Sequence, residues 1–215
     1  TISMSESAGT SNDPYLNVTY TYIVTYNFTY DANGNLIYGF GNYYGYDAFN
    51  HLVIVRQSNS TGSIVAQYFY DDQGNRIKKL LVSDSGNQTI YYIGNFVQIR
   101  NSFGVFNTTY YYDNNILVAR RDPNNQLYYY HPDHLGSTNL VTNQTGDVVE
   151  NTNYDPYGLV ISGGNSRYLY TGKEKDTETN LEYYGARYYN PSIIRFIQPD
   201  STIPNIYNPQ DLNRY

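Results

Sequence analysis

"YDDQGNRI" (Tyr70–Ile77) sits between an aromatic run and an apolar one, and its middle is turn chemistry. An Asp after Tyr hydrogen-bonds the backbone of a turn, and Gly or Asn a few residues later tolerates positive φ. Related stretches recur: YDANGNL at 30–36, YDAFNHL at 46–52, YIGNFV at 92–97, YYDNNIL at 111–117, YYYHPDHL at 128–135 and YDPYGLV at 154–160. Their spacing, about 20 residues, is that of strand–turn–strand units that bury no face alone and must stack. The expected fold is all-β, an array of antiparallel hairpins stacked as a solenoid.

Upstream, Leu16, Val18, Tyr20, Tyr22, Val24, Tyr26, Phe28 and Tyr30 alternate with polar residues, with only Ile23 out of phase. This predicts one half-buried strand reaching about 50 Å. An edge that long requires a partner, either the next repeat or a neighbouring subunit joined head to tail into a filament. Residues 1–14 are small and polar and read as a flexible arm. Asn before Pro at 190–191 and 208–209 supplies an N-cap and a first helical residue, so short helical turns are expected in 190–196 and 208–215. The chain thus divides into an arm (1–14), the long strand and repeats (15–127), and a more tightly specified segment (128–215).

Composition narrows the function. The 215 residues include 29 tyrosines but one methionine, no tryptophan and no cysteine, which suits half-exposed strands and excludes disulfides and thiol enzymes. A net charge of −6 with 13 scattered Lys and Arg offers no basic stripe for nucleic acid. No apolar run approaches the roughly 20 residues of a membrane helix.

The most enzyme-like cluster is His131, Asp133, His134 and Ser137. On an extended strand residues three apart face opposite ways, so the two histidines converge on a metal only if Pro132 turns the chain. The remaining histidine, His51, lies in another repeat. A structural role is the simpler reading, and His131→Ala or His134→Ala is expected to damage folding or assembly. The Asp and Asn clusters lack EF-hand spacing, so turns are preferred to calcium loops. The run GKEKDTETNLE (172–182) holds carboxylates that suit a glycosidase, but its mixed charges favour a solvated hairpin or a salt-bridged loop. Arg187 and Arg195 are expected to make buried pairs with an acidic partner such as Glu174 or Asp200. No cofactor is expected. Six Asn-x-Ser/Thr triplets, at Asn17, Asn27, Asn59, Asn87, Asn107 and Asn143, are candidates for N-linked glycans.

The blocks YYYHPDHLGSTNLVTNQTGDVVENTNYDPYGLVI, RYLYTGKEKDTETNLEYYGARYYNPSIIRFIQPDS and NPQDLNRY occur in order. They closely resemble the associated core region of rearrangement-hotspot (Rhs) proteins, and the upstream units resemble YD repeats. The resemblance implies an extracellular or cell-surface β-shell in which the hairpins spiral as a solenoid or shell segment, its core region closing one end in bacterial members. In bacterial members that region cuts the chain behind itself and encloses a toxin; in teneurin-like relatives the shell serves adhesion. It marks Gly136, Asp155, Pro156, Gly158, Gly172 and Gly185, with His131, Asp133, His134, Glu174, Arg187, Arg195 and Asp200, as structural motif residues. Asp155 to Leu159 superficially fits the family's cleavage pattern, but its place between blocks makes it a turn. The self-cleavage aspartates are not found by position 215. The expectation is therefore a non-enzymatic surface scaffold that self-associates or joins further repeats, with a filament through its N-terminal strand as one form. The alternative is the terminal shell portion of a larger toxin carrier. Sugar binding by exposed tyrosines is a weaker third reading.

Overall fold

The computed structural model describes residues 27–200. The arm, most of the long strand, Asn17 and the turn expected at 208–215 lie outside the described residues.

Among the described residues thirteen strands form one antiparallel meander in which each pairs with its sequence neighbours. They are β1 (Thr29–Tyr30), β2 (Leu36–Gly39), β3 (Asn42–Tyr46), β4 (Leu52–Gln57), β5 (Ile64–Tyr70), β6 (Arg76–Leu81) and β7 (Gln88–Ile93), then β8 (Phe96–Asn101), β9 (Gly104–Asp113), β10 (Ile116–Arg121), β11 (Leu127–Pro132), β12 (Thr138–Thr142) and β13 (Val148–Asn151). A hairpin follows, β14 (Asn153–Tyr154) and β15 (Val160–Ser162), and then a four-stranded sheet of β16 (Glu174–Asp176), β17 (Leu181–Tyr183), β18 (Tyr188–Asn190) and β19 (Arg195–Phe196).

One turn, found seven times among the described residues, organises them. At Asp71 the side-chain Oδ1 accepts from the N–H groups of Gln73 (3.0 Å) and Asn75 (2.8 Å), Gly74 N–H donates to the Asp71 carbonyl, and Gly74 takes φ 80°. Asp31, Asp47, Asp122, Asp133, Asn143 and Asp155 build the same turn, with Gly34, Asn50, Asn125, Gly136, Gly146 and Gly158 at positive φ. A short side-chain acceptor closing the loop, followed by a residue tolerant of positive φ, is the reason for the recurring Asp and Gly or Asn.

The tyrosine before Asp reaches further. The hydroxyls of Tyr46, Tyr70 and Tyr154 donate to the carbonyls of Leu36, Leu52 and Thr138 at 2.7–2.8 Å. Each acceptor is the residue leaving an earlier turn of this type, so every such Tyr-Asp pair builds its own turn and fastens an earlier one.

Two expectations are corrected. YIGNFV and YYDNNIL are two-residue hairpins rather than further copies: Gly94 has φ 57°, and Asn114 and Asn115 have φ 46° and 67°, the latter pair giving a turn that matches strand twist. The true copies at Asp122 and Asn143 lack the preceding tyrosine. Residues 191–194, expected to be helical, form the turn between β18 and β19, with Ser192 N–H donating to Asn190 Oδ1. The one helical turn among the described residues is instead Tyr170–Gly172.

Six of the seven turns lead into a β-bulge, where one extra residue enters the exit strand. At β6, Phe69 pairs with Lys78 but Tyr70 pairs with Arg76, leaving Ile77 over. The bulge brings residues three apart to one face. Leu36 and Gly39, Leu52 and Val55, Arg76 and Lys79, and Thr138 and Val141 are accordingly buried in pairs.

The buried face carries two apolar clusters. Leu36, Tyr44, Leu52, Val55, Ala66 and Tyr68 pack against Leu181 and Tyr188 of the small sheet and Ile197 just after it. Further along, Ile90, Val97, Tyr110, Leu117, Tyr130 and Val141 pack together with Tyr168. Strand β6 lies between them in the meander and buries two charged residues, Arg76 and Lys79, while its Leu81 packs against both clusters.

Candidate functional site

Arg76 and Lys79 point from β6 toward β16 at the seam between the two sheets. Arg76 Nη1 donates to Asp176 Oδ2 (2.6 Å), and Arg76 Nη2 lies 2.9 Å from Glu174 Oε2, too oblique for a hydrogen bond. Lys79 Nζ donates to Asp176 Oδ1 (2.7 Å) and lies 3.2 Å from Glu178 Oε1. Arg167 Nη1 closes the cluster on Glu174 Oε1 (2.7 Å). The cluster balances three cations with three acids.

Tyrosines wall it in. The Arg76 guanidinium lies 4.2 Å from the Tyr183 ring centre, 5.0 Å from Tyr92 and 5.4 Å from Tyr68. Arg76 N–H donates to Tyr183 Oη (2.9 Å), Tyr92 Oη–H to Glu174 (2.8 Å), and Tyr68 Oη–H to Glu178 (3.2 Å). Ring faces stabilise the cation while hydroxyls satisfy carboxylate lone pairs, which explains how so many charges are buried.

The electrostatics follow the contacts. Burial acts to raise the Glu174 pKa, but Arg76, Lys79 and Arg167 outweigh it and hold the carboxyl down at about 2. Burial likewise opposes the charges on Arg76 and Lys79, and Asp176 with Glu174 more than offsets it, so both cations are held charged. Glu178 moves the other way: its burial and the neighbouring Asp176 raise its pKa.

On the opposite face of the small sheet stands a contrasting carboxyl. Glu182 is 1% exposed, and among the described residues neither of its side-chain oxygens has a hydrogen-bond partner. Burial pushes its pKa up to about 8, with Lys175 pulling it partly back. The β14–β15 hairpin lies over tyrosines of this region: Tyr170 and Tyr189 donate to the carbonyls of Pro156 (3.0 Å) and Tyr157 (2.9 Å).

The residues singled out by sequence fall elsewhere. His131 is exposed on β11, with Nε2 3.0 Å from Thr142 Oγ1, while Asp133 serves its turn and His134 is exposed in it. Ser137 is buried and accepts from Thr171 N–H. These four make no catalytic constellation, and among the described residues no group of His, Cys, Asp and Glu is arranged to hold a metal. Asp155 and Pro156 lie in the seventh turn, and Gly136, Gly158, Gly172 and Gly185 all take positive φ.

Glu174 pairs with Arg76 and Arg167, not with Arg187 or Arg195. Arg187 does meet Asp200, at 3.0 Å, but half-buried, and Arg195 is exposed on β19. The run 172–182 is salt-bridged as expected but buried rather than solvated, because its alternate residues Glu174 and Asp176 face the meander. Asn27, Asn59, Asn87 and Asn107 are exposed; Asn143 is half-buried with its amide committed to its own turn.

Sequence reading missed Arg76 and Lys79. The available signal was Arg76 directly after a turn of the repeated type, where the exit residue faces inward.

Comparison with known proteins agrees with this geometry. The family model described as Teneurin YD-shell matches residues 17–215. The chain is 35% identical over 184 residues to the tRNA(Glu)-specific nuclease WapA of Bacillus subtilis subsp. natto, covering 80% of this chain and 8% of that protein. It is 49% identical over 74 residues to Salivary gland surface protein 1 of Aedes aegypti, covering 32% of this chain and 2% of that protein. Among solved structures, TcdB2-TccC3-Cdc42 superposes with a TM-score of 0.74 at 24% identity over 86% of this chain and 10% of that one. The chain therefore spans a tenth or less of these relatives. The Tyr-Asp turns, the open meander and the family match together identify the chain as a member of the YD-shell family.

Proposed function

We propose that the chain is a non-catalytic segment of a larger extracellular YD-repeat shell of the toxin-carrier type, in which the small sheet docks on the meander to close it. The observation that carries this reading is the buried charge cluster. Where a lone sheet would suffice for a stalk, here the chain's last described strands return and are fixed by Arg76 and Lys79 onto β6. The meander itself pairs only sequential strands, so further repeats can add in register at its edges. Exposed Asn59, Asn87 and Asn107 are available for glycans if the host attaches them.

Electron microscopy of the full native protein tests this. A hollow particle with the four-stranded sheet against its wall is the expected result. A helical filament joined through residues 15–30 would favour strand exchange instead, and a solid monomer would overturn both.

A further inference from the structure

We propose that Lys79 and Asp176 join in an intramolecular amide bond, formed by the folded chain itself, that locks the four-stranded sheet to the meander. This goes beyond the shell reading and stands or falls separately from it.

Three features of the site match what amide formation needs. The reacting groups touch, with Lys79 Nζ 2.7 Å from Asp176 Oδ1. Water is excluded, since their side chains are 3% and 0% exposed, so loss of water is not opposed by bulk solvent. A third acid, Glu178 Oε1, sits 3.2 Å from the amine, within reach to relay protons. The two residues are 97 positions apart, so the bond would tie β6 to β16 across the seam. The chain contains no cysteine, and a disulfide is not available for that purpose.

The chemistry balances without any other reactant. Glu178 takes a proton from the Lys79 ammonium, and the free amine attacks Asp176 Cγ. Arg76 Nη1, 2.6 Å from Oδ2, stabilises the negative charge of the tetrahedral adduct on the oxygen that stays. Glu178 passes that proton to Oδ1 and then relays a second one to it from the adduct nitrogen, and the Cγ–Oδ1 bond breaks so that Oδ1 leaves as water. Of the three ammonium protons, one remains on the amide nitrogen and two depart with that water. The acids around Lys79 hold its proton, which opposes the first step; burial and Asp176 raise the pKa of Glu178, making it a stronger base than an ordinary carboxylate.

Intact-mass spectrometry of the denatured full chain decides the matter, followed by a peptide map. The expected mass is lower than the sequence mass by one water, with the Lys79 peptide linked to the Asp176 peptide. Lys79→Arg should restore the full mass, and Glu178→Gln should leave a larger unreacted share. A wild-type chain of full sequence mass would overturn the proposal, as would a lost water mapped to any other position, such as a cyclised aspartate. Neither of these two results depends on a variant folding.

Discussion

Glu174 and Glu182 are both buried carboxyls on adjacent strands of one small sheet, yet they face opposite ways and obey opposite rules. Glu174 meets Arg76, Lys79 and Arg167 and is held ionised; Glu182 meets Lys175 across the strand pair and a layer of tyrosines, and burial dominates. Burial alone therefore does not set the charge of an acid here. What matters is whether the bulged strand of the meander delivers a cation to it. On the inner face β6 delivers two, three residues apart, because the extra residue Ile77 turns both inward. On the outer face the covering hairpin offers backbone carbonyls and tyrosine hydroxyls to one another.

Removing the compensation on the inner face should have the largest effect. Arg76→Ala leaves Glu174 and Asp176 buried with one of their three cations gone, a loss of about 3–5 kcal/mol by denaturant unfolding. If the variant is as stable as the parent, the inner face is not held by charge.

The outer face gives the next effect, through pH. The raised pKa of Glu182 means the folded state binds more protons than the unfolded state between pH 4.5 and about 8. Stability from this group is therefore complete below pH 4.5 and falls as pH rises toward 8. At roughly 1.4 kcal/mol per pKa unit, this amounts to a few kcal/mol. Glu174 has the opposite sign: its contribution is present above pH 4.5 and is lost as pH falls through about 2. Glu182→Gln should shrink the loss on raising pH, leaving the share from Glu178, whose pKa is also raised, and leave the acid limb intact. An unchanged pH profile in unfolding experiments would erase the contrast between the two faces.

The hairpin over the outer face can be tested directly. Gly158 has φ 95°, and a Cβ there would overlap the Tyr170 ring, so Gly158→Ala should destabilise by about 1–3 kcal/mol. Gly146→Ala shares the positive φ, at 87°, but its Cβ meets open space, so the smaller of two thermal shifts belongs to it. The smallest effects are expected at His131→Ala and His134→Ala. Both side chains are exposed, and each change should stay within about 0.5 kcal/mol, revising the damage anticipated from sequence.

The local grammar of the fold was legible in the sequence. Asp followed by Gly or Asn foretold the turns, and the aromatic spacing foretold the hairpin array, because both depend on contacts within a few residues. The bulges were not legible, since strict alternation places Arg76 and Lys79 on opposite faces and only the register with β5 corrects this. The inner acids were hidden too. In KEKDTE a carboxylate destined for the seam looks like one destined for water, and its partners lie about a hundred positions away. Glu182, with no ionic partner from a distant repeat among the described residues, left no pairing to find.

Anchoring of the small sheet to the meander through the charges on β6 underlies the contrast between the two faces. Amide hydrogen exchange on the wild type and Arg76→Ala measures that anchoring without an intermediary. Protection should be lost only in Glu174–Asp176, Leu181–Tyr183 and Tyr188–Asn190, with the strands from Phe96 to Pro132 still protected. Protection lost equally everywhere, or unchanged in the small sheet, would show that β6 does not hold the two sheets together.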